Sequence, residues 1–194
     1  MIRRIDWLER EFSFDFPAGM YPIIVERLRG APAHLEDRVR SLPREILTRR
    51  DGADWSIQEN AGHLFDLEAL GMGRLDDFEA GREVLQPADM QNRKTYEANH
   101  NSKAIEDILA SFRAARAEFV QRLEAFDEAL VTRTAIHPRL EKAMRVVDLA
   151  YFVAEHDDYH LAVIAELIHK FSELRWHDVP KHQNAAPPGW AADR

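Results

Sequence analysis

The segment VVDLAYFVAEHDDYHLAVIAELIHKF, residues 146–171, decides the fold. Leu149, Phe152, Val153, His156, His160, Val163, Ile164 and Leu167 recur at spacings of three and four, so one helix face carries them all. A face that long and apolar has to be buried against other helices. It is not purely apolar, however. His156 and His160 share it, four residues and about 40° apart around the helix. Two imidazoles aimed at an interior need partners, because an unsatisfied buried polar group costs about 1–3 kcal/mol. Either hydrogen bonds hold them as core residues, or one divalent metal takes a nitrogen from each.

Three upstream segments have the same period. A first helix spans about residues 17–41 on Ile23, Ile24, Leu28, Leu35, Val39 and Leu42. Gly30 and Pro32 predict a kink or break in it, since Pro32 cannot donate a hydrogen bond to Leu28. A second helix starts at Ser56, where Glu59 three residues on completes a capping box, and runs to about Ala80 on Ile57, Ala61, Leu64, Leu67, Leu70 and Leu75. A third, capped by Asn101 or Ser102, runs to about Phe126 on Ile105, Ile108, Leu109, Phe112, Phe119, Val120 and Leu123. Residues 81–100 read as irregular and 132–144 as a loop holding His137 and Pro138. No stretch reads as a β-hairpin. Four amphipathic helices predict an all-α four-helix bundle over residues 17–171. Residues 1–16 form an N-terminal extension. Residues 172–194, with Pro180, Pro187, Pro188 and Gly189, read as a mobile tail.

The 194 residues give a prior of one domain. Lys and Arg number 26 against 34 Asp and Glu, a net charge of −8. That balance lacks the clustered positive charge that nucleic acids and anionic membranes require, so neither is expected as a partner. No apolar run resembles a signal peptide or a membrane span, and the cytoplasm is the expected compartment. There is no cysteine, which excludes disulfides, thiolate nucleophiles and zinc ribbons. A metal site here has to use His, Asp or Glu, and thiol chemistry would need a thiol from outside the chain.

His63 gives the histidine pair a third member. It lies near the start of the second helix, beside Leu64, Leu67 and Leu70, and in a bundle that helix can face the fourth. Three imidazoles leave a position open for water or substrate, the usual pattern of a catalytic metal site. Imidazole ligands suit zinc, nickel, copper or iron alike. The other histidines fit less well. His169 falls half a rotation from His160, His34 lies on a surface position, and His177 and His182 fall in the tail. His100 and His137 sit in loops where they could line a pocket mouth. Glu59, one turn before His63, has two readings: capping-box residue, the favoured one, or a functional carboxylate that accepts a hydrogen bond from a metal ligand or acts as general base for a metal-bound water. Asp157 and Asp158 turn away from the histidine face as solvated or ion-paired residues, and Trp55 reads as a core plug.

These residues resemble a known family. Trp55-Ser56-Ile57-Gln58-Glu59-Asn60-Ala61-Gly62-His63-Leu64 is similar to the W-S-x-x-E-x-x-x-H-L signature of the DinB-like superfamily, and His156-Asp157-Asp158-Tyr159-His160 to its H-x-x-x-H. The resemblance covers about residues 17–170. It implies a bundle with long crossover connections, a homodimer, and one divalent ion, zinc or nickel, held by His63, His156 and His160. It also implies an enzyme acting on a small molecule. The leading expectation is a transferase using a low-molecular-weight thiol such as bacillithiol, mycothiol or glutathione. A metal-dependent hydrolase and a non-catalytic, stress-related metal- or ligand-binding bundle are the alternatives.

Overall fold

The computed structural model describes residues 3–177, with the backbone alone for 173–177. The sequence-predicted tail from residue 178 onward lies outside the described residues. Four long helices make the bundle: α1 (Tyr21–Val39), α2 (Ile57–Glu79), α3 (Ile105–Glu124) and α4 (Val146–His177). α1 packs against α3 and α4, and so does α2, which leaves α1 and α2 on one diagonal and α3 and α4 on the other. Two of the three connections therefore cross the bundle. α2 and α4 are neighbours, as a shared histidine site requires.

The core divides into two apolar halves. One gathers Leu28, Leu75, Phe119, Leu149 and their neighbours; the other gathers Leu35, Leu64, Phe112, Ile164 and theirs. Between them lies a polar layer centred on Arg116 of α3, which is 1% exposed. Its guanidinium donates to Glu68 of α2 (2.6 Å) and to Asp157 of α4. It also donates to the carbonyl of Leu28 on α1 (3.2 Å). One side chain thus ties all four helices together. Burial would lower the Arg116 pKa, but Asp157 and Glu68 outweigh it and hold the guanidinium charged.

The same contact explains why the expected break in α1 is absent. The helix continues through Pro32. Pro32 leaves the Leu28 carbonyl without its helical donor, and Arg116 supplies one from across the bundle.

Three further expectations need correction. Residues 132–144 are not a plain loop: β1 (Thr134–His137) and β2 (Lys142–Arg145) form an antiparallel hairpin, the only sheet among the described residues. Its four-residue turn opens with Pro138 and ends with Glu141 at φ 53°. The His137 ring braces it by accepting the Leu140 amide (3.2 Å). Neither Asn101 nor Ser102 caps α3, whose N-cap is Ala104. Asn101 instead accepts the Ser56 hydroxyl at the start of α2 (2.8 Å). Finally, α4 extends six residues beyond 171. No helix among the described residues is long and apolar enough to cross a membrane.

Candidate functional site

The site is set by how α2 begins. Ser56 accepts the Glu59 amide (3.1 Å) and Glu59 accepts the Ser56 amide (2.9 Å), which is the capping box. The box fixes the phase of the helix, so that Asn60, His63 and Asp66, at three-residue spacing, all turn inward.

Asn60 commits its amide hydrogens to the carbonyls of Ser56 (2.8 Å) and Trp55 (3.3 Å). Its oxygen is left to face Nδ1 of His160 (2.8 Å). That nitrogen must carry the hydrogen, so the lone pair of His160 sits on Nε2. His63 is fixed by the same logic. The Thr95 hydroxyl donates to Asp66 (2.9 Å), and its oxygen then accepts from Nδ1 of His63 (3.0 Å). The lone pair of His63 is again on Nε2. Asp66, which anchors this chain, also accepts from His100 (2.8 Å). Burial pushes the Asp66 carboxyl up, but the bonds from His100 and Thr95 prevail and hold it below its ordinary value.

His63, His156 and His160 each bring a ring nitrogen to one point, all three within 4.8 Å of one another. Burial pulls the pKa of His63 down to about 4 and those of His156 and His160 well below their ordinary value, with mutual repulsion among the rings helping. The rings are therefore neutral at pH 7 and have lone pairs to give. Neutral, convergent imidazoles fit a divalent ion as a donor set.

Beside them opens a cavity of about 490 Å³, within the usual range for small-molecule sites. Trp55 is a wall of this cavity rather than a core plug, with its ring 4.7 Å from His63 and 6.3 Å from His160. Another part of the wall, Trp7 and Leu8, comes from the N-terminal extension. Arg10 pairs with Glu155, and Arg4 bonds Glu166 (3.4 Å) and lies over Tyr159 (4.4 Å). These contacts pin the extension along α4 and bring Trp7 edge-on to His156 at 4.9 Å.

The remaining sequence candidates divide clearly. Glu59 caps α2, its carboxylate is also paired with Arg50 (2.8 Å), and it does not line the cavity. Asp157 is buried on Arg116, whereas Asp158 is half-exposed and pairs with Arg27. His100 is not at a pocket mouth but buried behind Asp66. His137 does line the cavity, packed 5.0 Å from Phe152. His34 and His169 are exposed. Sequence reasoning missed Asn60, Asp66 and Thr95. A signal existed for the first two: polar residues three before and three after His63, on the face that also carries Leu64 and Leu67.

A sequence model of the DinB superfamily matches residues 27–164. None of the curated proteins compared matches the chain in sequence. Among solved structures, YfiT from Bacillus subtilis superposes with a TM-score of 0.68 at 19% identity, over 84% of this chain and 94% of its own. It is described as a probable metal-dependent hydrolase with an unusual four-helix bundle topology. A mycothiol-dependent maleylpyruvate isomerase superposes with a TM-score of 0.61 at 9% identity, over 76% of this chain and 60% of its own.

Proposed function

Because the chain belongs to the DinB superfamily, we propose that it is a metal-dependent enzyme in which His63, His156 and His160 hold one divalent ion, zinc or nickel. The observation that carries this reading is the convergence of three neutral imidazoles at the edge of a cavity. When bound, such an ion makes a thiol or water nucleophilic at neutral pH by lowering its pKa. The chain's own residues do the rest. Asn60 and Thr95 keep two rings oriented by holding hydrogen on Nδ1. Trp7 and Trp55 cover the rings and limit the water that reaches them.

The nucleophile in this reading is a low-molecular-weight thiol, and the reaction is its transfer to a small electrophile. The absence of cysteine is consistent with a thiol brought in as cosubstrate. One structural neighbour is named as mycothiol-dependent. Hydrolysis is the second reading, favoured by the neighbour that matches over nearly its whole length and is described as a probable hydrolase.

Two measurements test the proposal. Elemental analysis of protein purified without chelator should find close to one zinc or nickel per chain. Finding neither, with no binding of added zinc or nickel in a titration, overturns the metal site. Loss of thiol with an electrophile panel, absent in the chelated protein, supports transfer. Ester or amide cleavage without thiol loss replaces transfer by hydrolysis.

A further inference from the structure

Three nitrogen-rich side chains of the cavity wall, His137, Arg139 and Arg74, are incompletely matched by the fold; Arg139 lies over the rings of Trp7 (5.9 Å) and Phe152 (5.7 Å), which leaves its N–H donors free of an acceptor there. His137 is 2% exposed. Its Nδ1 accepts the Leu140 amide, so the hydrogen of the neutral ring is on Nε2, and that atom is buried with no acceptor. Arg139, in the turn of the hairpin, has its Nη2 buried, also with no acceptor. Arg74 of α2 is 4% exposed and bonds only the Gln86 carbonyl through Nε (3.1 Å). All three residues line the cavity.

Their charges are unmatched as well. Among the described residues, no carboxylate forms an ion pair with Arg74 or Arg139. The one acid that acts on Arg74 is Asp77, which is already taken by Arg82 (3.1 Å) and the Gln86 amide (2.7 Å). Arg74 and Arg139 repel one another, and both repel a proton on His137, so the three groups are within electrostatic reach. Arg139 acts on His156 too, which puts the positive end of the cavity next to the histidine cluster. Like charges brought together, with buried N–H donors and no acid to pair with, describe a place prepared for an anion.

We propose that this wall is a carboxylate-binding subsite, and that the substrate is a small organic acid whose carboxylate is held by Arg139, His137 and Arg74 while its reactive end faces the histidines. The proposal rests on reading the cavity as the substrate site. Two orphaned N–H donors, one from the hairpin turn and one from the ring that braces it, match the two oxygens of a carboxylate. The second guanidinium supplies charge behind them. The apolar wall of Phe152, Val153 and Leu67 suits the carbon body of such an acid.

The test uses benzoate as probe, with benzamide as its neutral counterpart and inorganic phosphate as the competing anion, on full-length protein stripped of metal by chelator. Titration followed by NMR should show benzoate binding at least tenfold more tightly than benzamide and more tightly than phosphate. Arg139→Gln should weaken benzoate at least tenfold without changing benzamide, and Arg139→Lys should lose less. His137→Gln is the second variant and should weaken benzoate severalfold. His63→Ala, which removes a proposed metal ligand, should leave benzoate affinity within twofold. The metal reading can therefore fail while the anion subsite stands, and the reverse. Benzoate and benzamide binding alike, no benzoate binding, or an unchanged affinity in Arg139→Gln would overturn the subsite. Phosphate binding more tightly than benzoate would overturn the carboxylate assignment.

Discussion

His156 and Asp157 are consecutive on α4, yet they belong to polar clusters built on opposite terms. Asp157 joins Glu68 and Arg116 in a knot where the guanidinium, both carboxylates and a helix carbonyl answer one another. His156 joins His63 and His160 in a cluster where each ring turns one nitrogen towards the other two at the edge of the cavity. A closed network of this kind holds helices in register. Convergent lone pairs, and the orphaned donors of His137 and Arg139 in the same cavity wall, do nothing for the folded chain on their own. Burying the two orphaned donors costs about 1–3 kcal/mol for each unsatisfied group. Function is therefore to be sought at the polar groups the fold leaves unanswered.

Opening the closed cluster should have the largest effect. Arg116→Met leaves Glu68 and Asp157 buried without their cation, and should cost about 3–5 kcal/mol of stability. For a chain of this size that is a fall in Tm of about 10 °C. Changing Glu68 and Asp157 to apolar residues as well should restore most of the loss, since no buried charge remains. Denaturant unfolding of the single and triple variants checks both statements. A single variant within about 1 kcal/mol of the parent would mean that the knot does not tie the helices.

The open cluster should respond the other way round. His63→Ala and His160→Ala should each lower zinc or nickel affinity by about a hundredfold or more, beyond what a lost supporting contact costs. They should destabilise the metal-free protein far less than Arg116→Met. His169→Ala, on the exposed side of α4, should leave metal affinity unchanged in the same calorimetric titration. Behind the rings, Asn60→Leu and Thr95→Val remove the groups that fix the Nδ1 hydrogens. Each should weaken metal by about 10–100-fold. Affinity equal to the parent's in both would show that packing alone orients the rings.

The two clusters were not equally legible in the sequence. The histidines stood out because each of the two helices carries them on a face of otherwise apolar period. The capping box at Ser56 and Glu59 was readable because it is local. The knot was harder to see. Arg116 interrupts the Phe112–Phe119 face, Glu68 the Leu64–Leu75 face, and Asp157 the fourth helix, each alone looking like a surface charge. Only the diagonal packing of α3 and α4 about α2 shows that they meet. Pro32 misled for the same reason, because the donor that rescues the Leu28 carbonyl comes from 88 residues away. The hairpin was missed because its turn is built on Pro138 and a left-handed Glu141 rather than on Asn-Gly. Its inward residues are only Ala135, His137 and Met144. The N-terminal extension carried no periodic signal, since it is held by single anchors such as Trp7 and Arg10.

Acid acts on the unanswered groups. The His137 pKa falls to about 3 through burial and the nearby Arg74 and Arg139. In the unfolded chain the ring titrates near its ordinary value of about 6.5. The unfolded state thus takes up the proton first, and stability is lost as pH falls from about 6.5 towards 3. His63, His156 and His160 act in the same direction. His137→Gln removes one of the four rings, so stability measured against pH should decline less steeply over that window in the metal-free protein. A slope identical to the parent's would mean that His137 is solvated in the folded state.

The smallest effect is expected at Glu59, which lies one turn from His63 yet is matched in the manner of the knot. Its carboxylate accepts the Ser56 amide and the Arg50 guanidinium. Caps are worth about 0.5–2 kcal/mol, and an ion pair with a partner as exposed as Arg50 about 0–1 kcal/mol. Glu59→Gln keeps the cap, because glutamine also serves at the third position of a capping box, and loses only the charge. Stability should change by less than about 1 kcal/mol, and metal content should not change. Turnover, in whichever of the two reactions is found, should stay within about tenfold of the parent. Had Glu59 moved a proton in the reaction, glutamine would cost about 10²–10⁴ in rate at unchanged metal content. A loss of that size would place Glu59 with the open cluster, where its carboxylate would have to leave Arg50 and turn towards the cavity during turnover.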